Sequence, residues 1–296
     1  MKAIIFSIFA SIILFSCASQ GAIRGEEYFA IGMAYYDLGN YDEAQRWLNR
    51  ARQSDRTLMA SEYNLGRIAY ETGNFAEAAE HFERVLSRDP ENLMALRAAA
   101  FSRIRNFDFE MAEIHYNRIM SLLPDSTEDG FNYALVLFGL GRFEETETLI
   151  KSLPDYQNDN PAVLLLLARS QHAMGKVEAI DSFARWESLV DPPSAQGLFE
   201  YGLALESAGF YARALELFDL SLNNLERDGP LLNRPTIQFN IARLLLIADP
   251  ENPQGIRELQ NAITNGFSNN EAIEAFLLDE RLSSDHRDEI RRLLDS

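Results

Sequence analysis

Four histidines, a single cysteine and the pairs Asn64/Arg67 and Asn240/Arg243 are the residues of this chain with most chemistry to offer. His81 and His115 stand 34 positions apart, and two imidazoles recurring at one interval are half of a metal site. No third ligand of suitable type recurs with them, and His172 and His286 stand elsewhere, so no metal is expected and both recurring histidines should meet solvent. The adjacent acids Glu26-Glu27 and Glu144-Glu145 fall at expected helix starts, where carboxylates complement the helix dipole. No phosphate-cradling glycine loop, nucleophile elbow or metal-binding helix motif is present. Catalysis therefore has no constellation to stand on, and neither an enzyme nor a cofactor is expected. Asn64 with Arg67, and again Asn240 with Arg243, suit binding better. An asparagine amide both donates to and accepts from an extended peptide backbone, and a guanidinium forks onto a carboxylate.

The elements that position these residues must be helical. Of 296 residues 47% are hydrophobic, only 10 are proline, and β-branched runs are few. The formal net charge of -18 repels phosphate backbones, so nucleic acid is not an expected partner.

The first sixteen residues, MKAIIFSIFASIILFS, read as an export signal. Lys2 supplies the positive end, and Ala3 to Phe15 form an apolar stretch too short to span a bilayer, which takes about 20 residues. The stretch ends in Leu14-Phe15-Ser16-Cys17, which resembles a bacterial lipobox apart from the phenylalanine before the serine. The resemblance implies cleavage after Ser16 and lipidation of Cys17, the only cysteine. Two or three acyl chains, at about 0.8 kcal/mol per buried CH₂, make a stable membrane anchor.

Self-alignment at an interval of 34 organises most of the remainder. Repeats start at Gly25, Met59, Leu93, Thr127, Pro161 and Ala195. Their eighth positions are Gly32, Gly66, Ala100, Ala134, Ala168 and Gly202, all small enough for two helices to approach closely. Their fifteenth positions are Gly39, Gly73, Phe107, Gly141, Gly175 and Gly209, where glycine ends a helix in the left-handed conformation. Two residues on, Tyr41, Phe75, Phe109, Phe143, Val177 and Tyr211 should plug into the second helix. Repeat 5 reads as slipped by one within that helix, where Ala179 and Phe183 precede their expected positions.

This pattern, best seen in Ile31-Gly32 through Gly39-Asn40-Tyr41-Asp42-Glu43-Ala44, resembles the tetratricopeptide repeat (TPR) family. The resemblance implies an all-α, right-handed superhelical solenoid of antiparallel helix pairs. Residues 1–16 form the signal, 17–24 a lipid-anchored linker, and 25–228 six repeats. Residues 229–266 hold a loop and a seventh helix pair (Pro235–Ala248, Gln254–Asn265), and 267–296 are charged capping helices.

In such a solenoid the first helices of the repeats line a concave face. The resemblance places Tyr63, Asn64, Arg67, Tyr70, Arg97, Phe101, Asn132, Arg169, Asn240 and Arg243 on it, facing a protein or extended peptide. The clamp that some TPR co-chaperones close on a terminal carboxylate is absent, since Met94 and Ala98 stand where it needs cations. The implied function is a lipid-anchored adaptor of the bacterial envelope, at the outer membrane facing the periplasm, in barrel, pilus or cell-wall assembly. Repeat edges leave room for a homodimer. The alternative is an accessory lipoprotein of a solute transporter, which would hold a small ligand in a closed cavity.

Overall fold

The computed structural model describes residues 24–153, 160–226, 229, 232–248 and 252–294. The signal, Cys17 and nearly all of the linker lie outside them. The described residues form sixteen helices and no strand. They divide into two compact units, residues 1–140 and 141–296.

The first unit holds α1 (Gly25–Asp37), α2 (Tyr41–Ser54), α3 (Met59–Glu71), α4 (Phe75–Leu86), α5 (Leu93–Arg105), α6 (Phe109–Leu122) and α7 (Thr127–Gly139). Each helix packs on the next in sequence. Asn40, Asn92, Asp108 and Ser126 cap α2, α5, α6 and α7, each side chain accepting from a backbone N–H of the first turn. Such caps contribute about 1 kcal/mol apiece. The small eighth positions are buried as their spacing implies: a Cβ on Gly66 would lie 2.8 Å from the Phe82 ring. Leu48, Leu65, Phe82, Leu96, Tyr116 and Ile119 fill the interior between the pairs.

Phe107 shows how strongly the repeat dictates its turn. Its φ is +59°, the left-handed region that glycine occupies at Gly39 and Gly73, and its ring is 83% exposed. The side chain makes no packing gain that offsets about 1–2 kcal/mol of backbone strain; the neighbouring helices impose it.

The second unit holds α8 (Phe143–Ser152), α9 (Pro161–Ala173), α10 (Ala179–Leu189), α11 (Ala195–Ser207), α12 (Tyr211–Asn224), α13 (Arg234–Ala248), α14 (Pro253–Thr264), α15 (Asn270–Leu277) and α16 (Ser284–Leu294). One core runs from Leu164 through Phe183, Trp186, Leu198 and Phe218 to Leu244. A second gathers Phe239, Leu259, Phe276 and Ile290, so α15 and α16 close the C-terminal end with apolar side chains.

Repeat 5 shows the one-residue slip expected of its second helix, but its plug position departs from expectation. Its second helix starts at Ala179, Ala179 and Phe183 are buried, and Val177 is exposed rather than plugged in. The slip moves the apolar stripe and leaves Val177 in the turn. His81 and His115 also depart from expectation, because both are buried rather than solvated.

Candidate functional site

The largest run of sequence-marked residues converges on one face of the first unit. Tyr63, Arg67 and Tyr70 share one side of α3 at helical spacing, and Met94, Arg97, Ala98 and Phe101 do the same on α5. Glu128, Asp129 and Asn132 join them from α7. They line two cavities of about 230 and 370 Å³ that share Tyr63, Ala98 and Phe101, so the two form one groove. Both open to solvent.

The groove floor is apolar and aromatic. Phe101 is 44% exposed and Met94 63% exposed. The Tyr70 ring lies 6.1 Å from Phe101 and 5.3 Å, edge-on, from Phe75. Arg105 stacks 4.4 Å over Phe75 and donates to the Tyr70 hydroxyl at 3.3 Å, which fixes the tyrosine's outer edge. Tyr63 packs 5.2 Å from Phe82 on α4.

Most polar residues expected here are engaged by the protein itself. Arg97 forks onto Asp129, Nε at 2.8 Å and Nη2 at 2.6 Å. Burial alone would raise the Asp129 carboxyl, but the hydrogen bonds from Arg97 and Ser126 outweigh it and hold the carboxyl below its usual range. Asn64 is only 7% exposed; its amide donates to Ala60 O and its oxygen accepts from Arg67 at 3.0 Å. Arg67 also lies 4.4 Å over the Tyr36 ring, but it forms no ion pair among the described residues, so it keeps a charge to offer at the groove's end. The Asn132 side chain makes no hydrogen bond among the described residues and leaves its amide open to the groove.

The remaining expected residues lie in the second unit. Arg169 donates from Nε to Glu200 at 2.6 Å. Asn240 donates to Thr236 O and accepts from Arg243, whose guanidinium forks onto Glu206. Asn240 and Arg243 edge a separate cavity of about 350 Å³ with Phe267, Phe276 and Asp279. Arg97, Arg169 and Arg243 thus bind acids of this chain where the sequence suggested a partner's carboxylate. Each pairing joins residues 31–37 positions apart, about one repeat, and no local motif joins the acids Asp129, Glu200 and Glu206 to their arginines. Ser126-x-x-Asp129 at the start of α7 was the one visible clue, as a capping pair.

The two recurring histidines hold no metal arrangement. Among the described residues no group of three His, Cys, Asp or Glu could hold an ion. Burial, the largest influence on each, lowers the pKa of both imidazoles.

Residues 29–92 and 63–119 match the family model described as "Tetratricopeptide repeat". An uncharacterized lipoprotein of Treponema pallidum is 25% identical over 124 residues, covering 42% of this chain; the chain spans 63% of that relative's length. A tetratricopeptide repeat protein from Parabacteroides merdae superposes with a TM-score of 0.62 at 19% identity, covering 85% of this chain and 96% of that one. PilW, a type IV pilus biogenesis factor, gives 0.55 at 19% identity over 68% of this chain and 93% of its own. MamA from Desulfovibrio magneticus gives 0.52 at 16% identity over 57% and 97%.

Proposed function

We propose that this chain, which is built of tetratricopeptide repeats, is a lipid-anchored adaptor that holds an extended segment of another envelope protein in the α3/α5/α7 groove. The carrying observation is the exposed apolar floor of Met94, Ala98 and Phe101, flanked by tyrosines and edged by Arg67 and Asn132. Apolar side chains left open beside the Asn132 amide and an Arg67 guanidinium that has no ion-pair partner among the described residues suit a partner's aliphatic or aromatic residue, at about 1.5–3 kcal/mol per buried side chain. Asn132 would meet the partner's backbone and Arg67 an acidic side chain. An open groove favours an extended chain over an enclosed solute.

The lipoprotein relative and the assembly role in PilW's name support an envelope setting. No helix among the described residues is long and apolar enough to cross a membrane. In this reading Cys17 supplies the attachment, at the outer membrane on its periplasmic side. Pairing of two copies belongs to the same proposal.

Co-purification from intact cells tests it, comparing the native chain with Tyr63→Ala/Phe101→Ala. Loss of a stoichiometric partner from the double variant, with unchanged helicity, is the expected result. A partner retained in full refutes the groove reading. Fatty-acid labelling of native chain but not of Cys17→Ser checks the anchor.

A further inference from the structure

A second cavity of the first unit has a different chemistry. It encloses about 470 Å³, within the ~300–1,000 Å³ typical of small-molecule sites, and is lined by Arg52, Arg56, Arg84 and Arg88 with Glu62, Gln53, Met59 and Ser87. Four guanidiniums line it with one carboxylate, and Glu80, outside the lining, pairs with Arg84 at 3.8 Å, which leaves a local excess of two positive charges in a chain whose net charge is -18.

Glu62 sits in the first turn of α3, buried, and holds two of the four. Arg52 Nη1 donates to its Oε1 at 3.2 Å and Arg84 Nε to its Oε2 at 3.0 Å. Burial would raise the Glu62 carboxyl, but hydrogen bonds from His81, Arg84 and Arg52 outweigh it and keep it ionised. His81 Nδ1 is 2.8 Å from both Glu62 Oε2 and Arg84 Nη2, so only one of these is a hydrogen bond in either tautomer. With its pKa lowered by burial, His81 adds no charge near neutrality. The guanidiniums of Arg56, in the turn before α3, and Arg88, just after α4, form no ion pair or hydrogen bond among the described residues.

We propose that this cavity binds a phosphate-type anion, either free phosphate or the phosphate of a lipid headgroup. Arg52 and Arg84 are prepositioned by Glu62, and Arg56 and Arg88 supply the unmatched charge. A single carboxylate ligand would leave much of that charge uncompensated, whereas a phosphate presents several oxygens to planar guanidinium forks. The site stands apart from the groove and does not depend on what the groove binds.

Calorimetry on the full chain in nonionic detergent tests it, with inorganic phosphate as titrant. Saturable binding is expected, weakened at least about tenfold in Arg56→Ala/Arg88→Ala. Both residues are exposed and unengaged, so the variant folds as the native chain does. Arg46→Ala/Arg118→Ala removes the same charge from exposed pairs with Glu43 and Glu91 and should change affinity less than about twofold. Doping the micelles with phosphatidylglycerol identifies the source: displacement of bound phosphate marks a headgroup site, and its absence a free-phosphate site. Lack of saturable phosphate binding up to about 10 mM, or equal losses in both double variants, overturns the proposal.

Discussion

Beyond Lys2, the chain has only two lysines, Lys151 and Lys176, and both donate to one glutamate. Glu147, on α8, is 6% exposed and receives the two ammoniums at 2.6 Å each, with Gln171 Nε2 at 2.9 Å. Ser182 on α10 in turn donates to Gln171 at 2.7 Å, so the carboxylate ties three helices of the second unit together. Burial would raise its pKa, but the three donors outweigh that and lower it from 4.5 to about 2. At 1.36 kcal/mol per pH unit, that is a ceiling of about 3 kcal/mol favouring the charged form in the folded state. The lysine ends are roughly half exposed, and screening brings the figure to about 1.5–2 kcal/mol. Because the folded-state pKa lies below the unfolded one, this stability is present above pH 4.5 and is lost as pH falls towards 2.

The perturbation is Glu147→Gln, which keeps the shape and removes the charge. Trp47 lies in the first unit and Trp186 in the second, so in a Trp47→Phe background the fluorescence reports on the second unit alone. In urea at pH 7 the variant should unfold about 1 M earlier, given a slope of about 2 kcal/mol/M. At pH 2.5 the gap should close to less than half. A gap independent of pH, or none at pH 7, refutes the reasoning, because background pH effects are common to both chains.

Three smaller perturbations follow from the packing. Phe107→Gly should stabilise the first unit by about 0.5–1 kcal/mol in urea unfolding, since the exposed ring loses nothing and the strained turn relaxes. Gly197→Ala should cost about 1–3 kcal/mol and redden Trp186 emission, because its Cβ would lie 2.2 Å from the indole. Arg97→Ala should destabilise by about 1–3 kcal/mol, with Asp129 left only Ser126. Arg97→Lys should not restore it, because an ammonium cannot replace the fork; full recovery would show that the bidentate geometry is unimportant.

Helix starts were legible because a 34-residue rule repeats the same steric demand at every turn. The first helices of the repeats begin at Gly25, Met59, Leu93, Thr127, Pro161 and Ala195, the positions where the small and left-handed residues place them. Val177 is exposed at the plug position because the slip in repeat 5 lets Ala179 and Phe183 take over its burial. Tyr63, Tyr70, Phe101 and Asn132 line the groove on the face that the repeat resemblance implies for the first helices. The engagement of Arg97, Arg169 and Arg243 was not legible, because it depends on acids about one repeat away and on side-chain geometry that no local spacing encodes. The four-arginine cavity was hidden for the same reason: Arg52 and Arg56 come from one repeat edge, Arg84 and Arg88 from the next.

An extended protein segment held in the α3/α5/α7 groove would lie against position 101. A photoreactive benzophenone side chain at position 101, activated in intact cells, tests this, with the same probe at the exposed Leu38, which does not line the groove, as reference. An adduct from position 101 that position 38 does not give is the expected result. Mass spectrometry of that adduct should map the crosslink to a short stretch of one partner, with an apolar residue at the crosslinked point. Equal labelling from both positions, or none from position 101, would contradict it.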